Sequence, residues 1–184
     1  MGVWAYYANG TVKSYDDADT GAIGVALVTA NVSILIDKQE SGALAFGGMN
    51  KDLTGAATFT SSPFTDFNGE SNTTGIIAAC AGYTASGITG APAAEYCRTR
   101  LNGKGYLPSK GEMYEIGSNV TAVRNMMIKI GGGQYPNENI YYWTSTLGGN
   151  ISRQAWRHSG YYTKNKDYEM DRTNTYYARA ICKL

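Results

Sequence analysis

At 184 residues the chain has the length of one domain and is long enough to bury a core. Charged residues make up 17% and the net charge is +1, which excludes a strong basic field for nucleic acid or membrane surfaces, and no apolar run approaches the ~20 residues that span a bilayer. Glycine is abundant at 23 residues against four prolines, the balance of an ordered, turn-rich domain, while three cysteines, Cys80, Cys97 and Cys182, imply buried thiols rather than a disulfide framework.

Taken in order, Val3 to Tyr7, Asn9-Gly10 and Thr11 to Tyr15 read as a hairpin, with Asn-Gly as a type I′ pair. The apolar run is too short for a signal peptide, so none is visible. Ala22 to Thr29 and Val32 to Asp37 are β-branched and apolar and form a second, largely buried strand pair around Ala30-Asn31. From Ser41 to Ser62, Gly, Ala, Thr and Asn with scattered hydrophobics give strand ends and a long loop.

Ile76, Ile77 and Cys80 share a face at helical spacing, so a helix is expected from a cap at Asn72 or Thr73 to about Ala81. Asp66, Asn68 and Glu70 just before it carry the oxygens a hard cation would use, but the remaining ligands of a known calcium loop are missing and an Asx turn is the preferred reading. Gly82 to Gly90 reads as a flexible connector, and Pro92 opens a helix from Ala93 to Leu101 with Tyr96, Cys97 and Leu101 inward. Ser109 and Glu112 have capping-box spacing, placing a helix start there and an end near Ile116. Asn119 caps the next helix, with Val120, Val123, Met127 and Ile130 inward and Gly131-Gly132-Gly133 as its stop. No Lys-Ser/Thr follows that triple glycine, which argues against a phosphate loop.

The last stretch, Tyr141 to Leu184, carries the functional weight. Eight of the chain's fifteen tyrosines lie from Tyr135 onward, set among Asn, Gly, Thr, Ser and Asp, and this filling is that of antibody-type paratopes as well as of ordinary sheet surfaces and turns. Ala178, Ala180, Cys182 and Leu184 alternate with Tyr177, Arg179, Ile181 and Lys183 as in a half-buried closing strand, so the chain is expected to end inside a sheet with the first set toward the core. Trp143 and Trp156 are expected to be core supports.

Four blocks, GYLPSKGEM (Gly105 to Met113), YYWTST (Tyr141 to Thr146), AW (Ala155-Trp156) and ARAICKL (Ala178 to Leu184), resemble in order the signatures of C-type-lectin-fold domains of bacterial and phage proteins. Some members of that group are the variable proteins of diversity-generating retroelements. The resemblance implies an α+β, C-type-lectin-like fold occupying residues 1–184 as one domain, with a β-rich part at 1–62, a helical part at 63–135 and a ligand-binding part at 136–184. It further implies that ligand contacts and diversification fall on Gly148, Gly149, Asn150, Ser152, His158, Ser159, Tyr161, Tyr162, Asn165, Asp167, Tyr168 and Tyr176.

Catalytic alternatives are weaker. His158 is the only histidine, which removes histidine-cluster metal sites, and no GxSxG, HExxH or paired CxxC is present. Asp167, Glu169 and Asp171 alternate and would share a face as a carboxylate pair or cation site, but a charged strand edge is the simpler reading. Cys182 falls on the expected core face without a second thiol beside it, unlike the formylglycine-generating oxidases that share the fold. Tyr135-Pro136-Asn137-Glu138 only brushes the calcium and sugar motif of vertebrate lectins. The expectation is a non-catalytic protein without cofactor or metal that binds a protein or glycan receptor on a target cell. No nucleic-acid partner and no membrane insertion are expected, a homo-oligomer is compatible, and the place of action is a virion tail or cell surface. An oxidase or glycosidase and a structural virion or pilus-tip subunit stand as the alternatives.

Overall fold

A computed structural model describes residues 1–137, 139–159 and 168–184. The architecture is mixed α+β with antiparallel pairing between all the described strands, and its four described helices fall between two groups of strands. The N-terminal group is β1 (Gly2–Tyr6), β2 (Val12–Lys13), β3 (Gly24–Val28), β4 (Ser33–Asp37) and β5 (Leu44–Ala45). Then come α1 (Gly69–Cys80), the short strands β6 (Thr84–Ala85) and β7 (Ile88–Thr89), α2 (Pro92–Thr99), α3 (Lys110–Ser118) and α4 (Val120–Lys129). The chain closes with β8 (Tyr141–Leu147), β9 (Gln154–Ser159), β10 (Glu169–Asp171), β11 (Thr175–Tyr176) and β12 (Ile181–Lys183).

The main sheet has five strands in the order β12-β4-β3-β1-β2, so the last strand of the chain joins the first ones. Its register is set by Ile181 opposite Ile36 and Val25 opposite both Ile36 and Ala5. A second sheet, β10-β9-β8, has β9 in the middle, and β11 pairs with β5. Two hydrophobic cores follow. One lies between the five-stranded sheet and α3 and α4, where Leu27, Ile34 and Ile36 meet Met113, Ile116, Val123, Met127 and Ile130. The other lies between α1, α2 and the three-stranded sheet, where Ile76, Cys80, Ala94 and Cys97 meet Trp143, Leu147 and Ala155.

Several expectations hold at the level of single elements. The first two strands form a hairpin, β3 and β4 pair and are mostly buried, and Ser109 and Glu112 make a reciprocal capping box at α3. Asp66 makes the expected Asx turn, its Oδ1 accepting from the Asn68 N–H at 3.0 Å. Others are corrected. In the first hairpin Gly10 lies after the turn, at φ 85°, while its N–H bonds back to Tyr7, so Asn9-Gly10 is not the type I′ pair. A two-residue turn with both central residues at positive φ lies instead at Ser86-Gly87, between β6 and β7, in the stretch read as a flexible connector. The helix α1 begins three residues before Asn72, because the Asn72 and Thr73 side chains bond to distant parts of the chain instead of capping.

The closing strand is also shorter and differently placed than its alternation suggests. It lies at the sheet edge, Arg179 and Ile181 are as buried as Ala178 and Ala180, and Leu184 is exposed. Both faces of this segment are covered because it crosses between the two cores, so period two loses its meaning there. Trp143 is fully buried, with its ring edge-on to Phe46 and its Nε1–H donating to the Leu44 carbonyl at 2.8 Å. Trp156 lies on the opposite face of its strand pair, only partly buried and outside both cores. Replacing Trp143 by Ala should therefore cost ~3–5 kcal/mol in urea unfolding, and Trp156→Ala clearly less. An equal or larger loss at Trp156 would contradict this assignment of the core.

Candidate functional site

The four sequence blocks that carry the resemblance are bonded to one another. The Ser145 N–H donates to the Pro108 carbonyl at 2.8 Å and the Lys110 N–H to Thr146 Oγ1 at 2.9 Å, joining β8 to the start of α3. Thr144 Oγ1 donates to the Trp156 carbonyl at 2.9 Å, while Tyr106 and Ile181 exchange backbone bonds at 2.8 and 3.1 Å. Beneath them runs a buried polar network centred on Asp66. Its Oδ2 accepts from Asn72 Nδ2 at 3.0 Å and Thr146 Oγ1 at 2.6 Å, and its carbonyl accepts from Ser109 Oγ at 2.6 Å and the Gly111 N–H at 2.9 Å. A Cβ at Gly111 would overlap that carbonyl, so the approach of α3 to residue 66 requires glycine.

Two buried arginines brace the loops. Arg179 donates to the carbonyls of Asp37 and Lys38 at 2.9 and 2.8 Å and pairs with Glu40 at 2.5 Å, where Tyr142 OH also donates at 2.9 Å. Arg172 donates to the carbonyls of Gly48, Lys51 and Ser152 at 3.0, 2.7 and 2.6 Å, fastening the 148–153 turn to an N-terminal loop. Burial works against its charge and pushes its pKa down.

At the rim of the second core, three tyrosines surround Arg157. Its guanidinium carbon stands 3.6 Å from the ring centroid of Tyr141, 4.9 Å from Tyr176 and 5.6 Å from Tyr168. Arg157 pairs in register with Trp143 across the β8–β9 ladder, and Tyr176 packs edge-on against Trp143 at 4.9 Å, so the cluster is seated on the core. Arrays of this kind gain ~0.5–2 kcal/mol per cation–ring contact, depending on desolvation.

Of the positions expected to contact ligand, Gly149, Asn150 and Tyr168 are exposed, and Ser152 and Tyr176 are partly so. Tyr161, Tyr162, Asn165 and Asp167 lie outside the described residues. His158 is 2% and Ser159 0% exposed, and Gly148 is buried as well. The reason is that β9 is the central strand of its sheet, not a loop. His158 Nδ1 lies 3.0 Å from the buried Lys110 ammonium, and a Cβ at Gly148 would stand 2.8 Å from that of Gln154. These three positions are part of the support and not of the displayed surface. Tyr141 and Arg157 are the rim residues the sequence reading missed. Their signal was present, since each sits two residues from a buried member of a block, Trp143 and Ala155, on the same strand face.

The carboxylates Glu169 and Asp171 lie on β10, the edge of its sheet, and are partly exposed; Asp167 lies outside the described residues. Cys182 is buried on the core side, and burial pushes its thiol pKa up, away from a reactive thiolate. Among the described residues no group of three His, Cys, Asp or Glu side chains is placed to hold a metal ion. No described helix is long and apolar enough to cross a membrane.

No protein-family model and no curated protein matches the sequence. Among solved structures, the chain is similar over its whole length to a fimbrial protein from Bacteroides ovatus ATCC 8483, with a TM-score of 0.67 and 15% sequence identity. It spans 48% of that protein, about half its length. At this identity the likeness concerns the fold.

The capping box also sets a pH dependence. Glu112 is buried and its carboxyl is pushed up to about 7, because desolvation outweighs the opposing bonds from Ser109 N–H at 2.7 Å and Tyr106 OH at 3.0 Å. A carboxyl raised in the folded state contributes stability below its unfolded pKa near 4.5 and loses it as pH rises through about 7. Glu112→Gln, which imitates the neutral acid, should flatten the fall in stability between pH 5 and 8 by an amount on the order of 2 kcal/mol. Parallel denaturation curves for the two proteins across that range would contradict it.

Proposed function

We propose that this chain is a non-catalytic binding module of C-type-lectin-like type, displayed at a cell or virion surface, that meets a protein or glycan receptor through the face around β8 to β11. The observation that carries the reading is the Tyr141–Arg157–Tyr168–Tyr176 cluster, an amphipathic surface of rings seated on the β8–β9 strand pair, together with the exposed turn at Gly149 and Asn150 at the other end of that hairpin. Tyrosine and arginine are the residues that dominate interface energetics, since they give large contact for little ordering entropy. The bonds that knit the four signature blocks together add support for the lectin-like fold. The retroelement reading assigns the exposed positions to diversification, and it predicts a reverse transcriptase gene nearby with a copy of the C-terminal codons differing at adenines.

A second reading, a structural subunit of a surface fibre, is favoured by the likeness in fold to a fimbrial protein. It predicts concentration-dependent assembly of the purified chain, which sedimentation measures. For the leading reading, the labelled protein is tested on a panel of bacterial and host cells beside an Asn150→Ala, Tyr168→Ala, Tyr176→Ala triple variant. Binding should fall at least about tenfold, since hot-spot truncations cost ~2 kcal/mol or more, while the variant stays folded. Undiminished binding by a folded variant would remove the face from consideration.

A further inference from the structure

The charged side chains that the fold draws inward differ in how they are compensated. Arg100 closes on Asp37 at 2.6 Å and Arg179 on Glu40, while Arg172 takes three backbone carbonyls. Arg157 has rings instead. Among the described residues no carboxylate pairs with it and no acceptor meets its guanidinium; its Nε is buried without a partner, as are those of Arg172 and Arg179, but those two arginines donate through another nitrogen. A guanidinium held between aromatic faces keeps its charge and its planar fork, and here no described residue takes its in-plane donors.

We propose that Arg157, framed by Tyr141, Tyr168 and Tyr176, is a recognition point for a single Asp or Glu side chain on the surface of a protein partner. The inference rests on the binding-face reading above and adds the chemistry of the ligand. A carboxylate accepts two parallel N–H bonds from a guanidinium fork, and such charge-assisted pairs are the strong ones. The three rings hold the fork in place before binding, so little side-chain entropy remains to be lost, and they shield the pair from water once a partner covers them. One face of Tyr141 is covered by the guanidinium, whose carbon stands 3.6 Å from the ring centroid.

The test uses an array of random peptides, each paired with a copy in which Asp and Glu are replaced by Asn and Gln. The labelled full chain should retain peptides with one acidic residue at least tenfold more strongly than their amide copies. Arg157→Gln should abolish that difference while the chain stays folded; if it does not fold, Arg157→Lys, which keeps the charge without the fork, should reduce the difference severalfold. Equal retention of acidic and amide copies by the natural chain, or an acidic preference that survives in either folded variant, overturns the inference. Loss of cell binding in the triple tyrosine and asparagine variant alongside an acidic preference indifferent to Arg157 would leave the binding face standing and remove only the carboxylate.

Discussion

Asp66 is the point on which three elements close. Its side chain is buried, and both carboxylate oxygens accept bonds, one from the Asn68 backbone and the other from Asn72 and Thr146. Its carbonyl takes Ser109 and Gly111 from the start of α3. Thus the first turns of α1 and α3 and the middle of β8 share one anchor, and a buried carboxylate of this kind is tolerable only because its acceptors are filled. Truncating it would leave several donors without partners at once, each at a cost of ~1–3 kcal/mol.

From that anchor the order of causes runs outward. Thr146 fixes β8, β8 holds β9 through the Tyr141–Ser159 to Trp143–Arg157 register, and β9 carries Arg157 to the rim of the second core. The 148–153 turn is held separately by Arg172. Asn150 and Tyr168 lie exposed outside this chain of support. The likeness in fold to a fimbrial protein at 15% identity fits the same division, since a frame defined by burial and internal bonds can persist when most side chains have changed.

Local signals were legible in the sequence where they have local causes. The capping box at Ser109 and Glu112, the β3–β4 pair and the glycine stop after α4 each follow from neighbours within a few residues. What escaped has distant causes. Asn72 and Thr73 look like caps but bond to Thr58, Asp66 and Leu107. Arg179 looks like the solvent side of an alternating strand, but Glu40 and two carbonyls compensate its burial from 139 or more residues away. His158 and Ser159 look like loop residues, because nothing nearby in sequence announces that β10 will pair on the far side of β9. At the candidate site, Tyr168 and Tyr176 were legible as tyrosines in polar surroundings, while Arg157 and Tyr141 gained meaning only once β8 and β9 were in register.

The proposed division between a bonded frame and an exchangeable face is measured directly by a stability scan of all single substitutions at six positions. Asp66, Ser109 and Thr146 should each lose ~1–3 kcal/mol or more for nearly every replacement, whereas Gly149, Asn150 and Tyr168 should stay within about 0.5 kcal/mol for most. A scan in which the two groups overlap, with Asp66 tolerating Ala or Leu as readily as Tyr168 does, would contradict it.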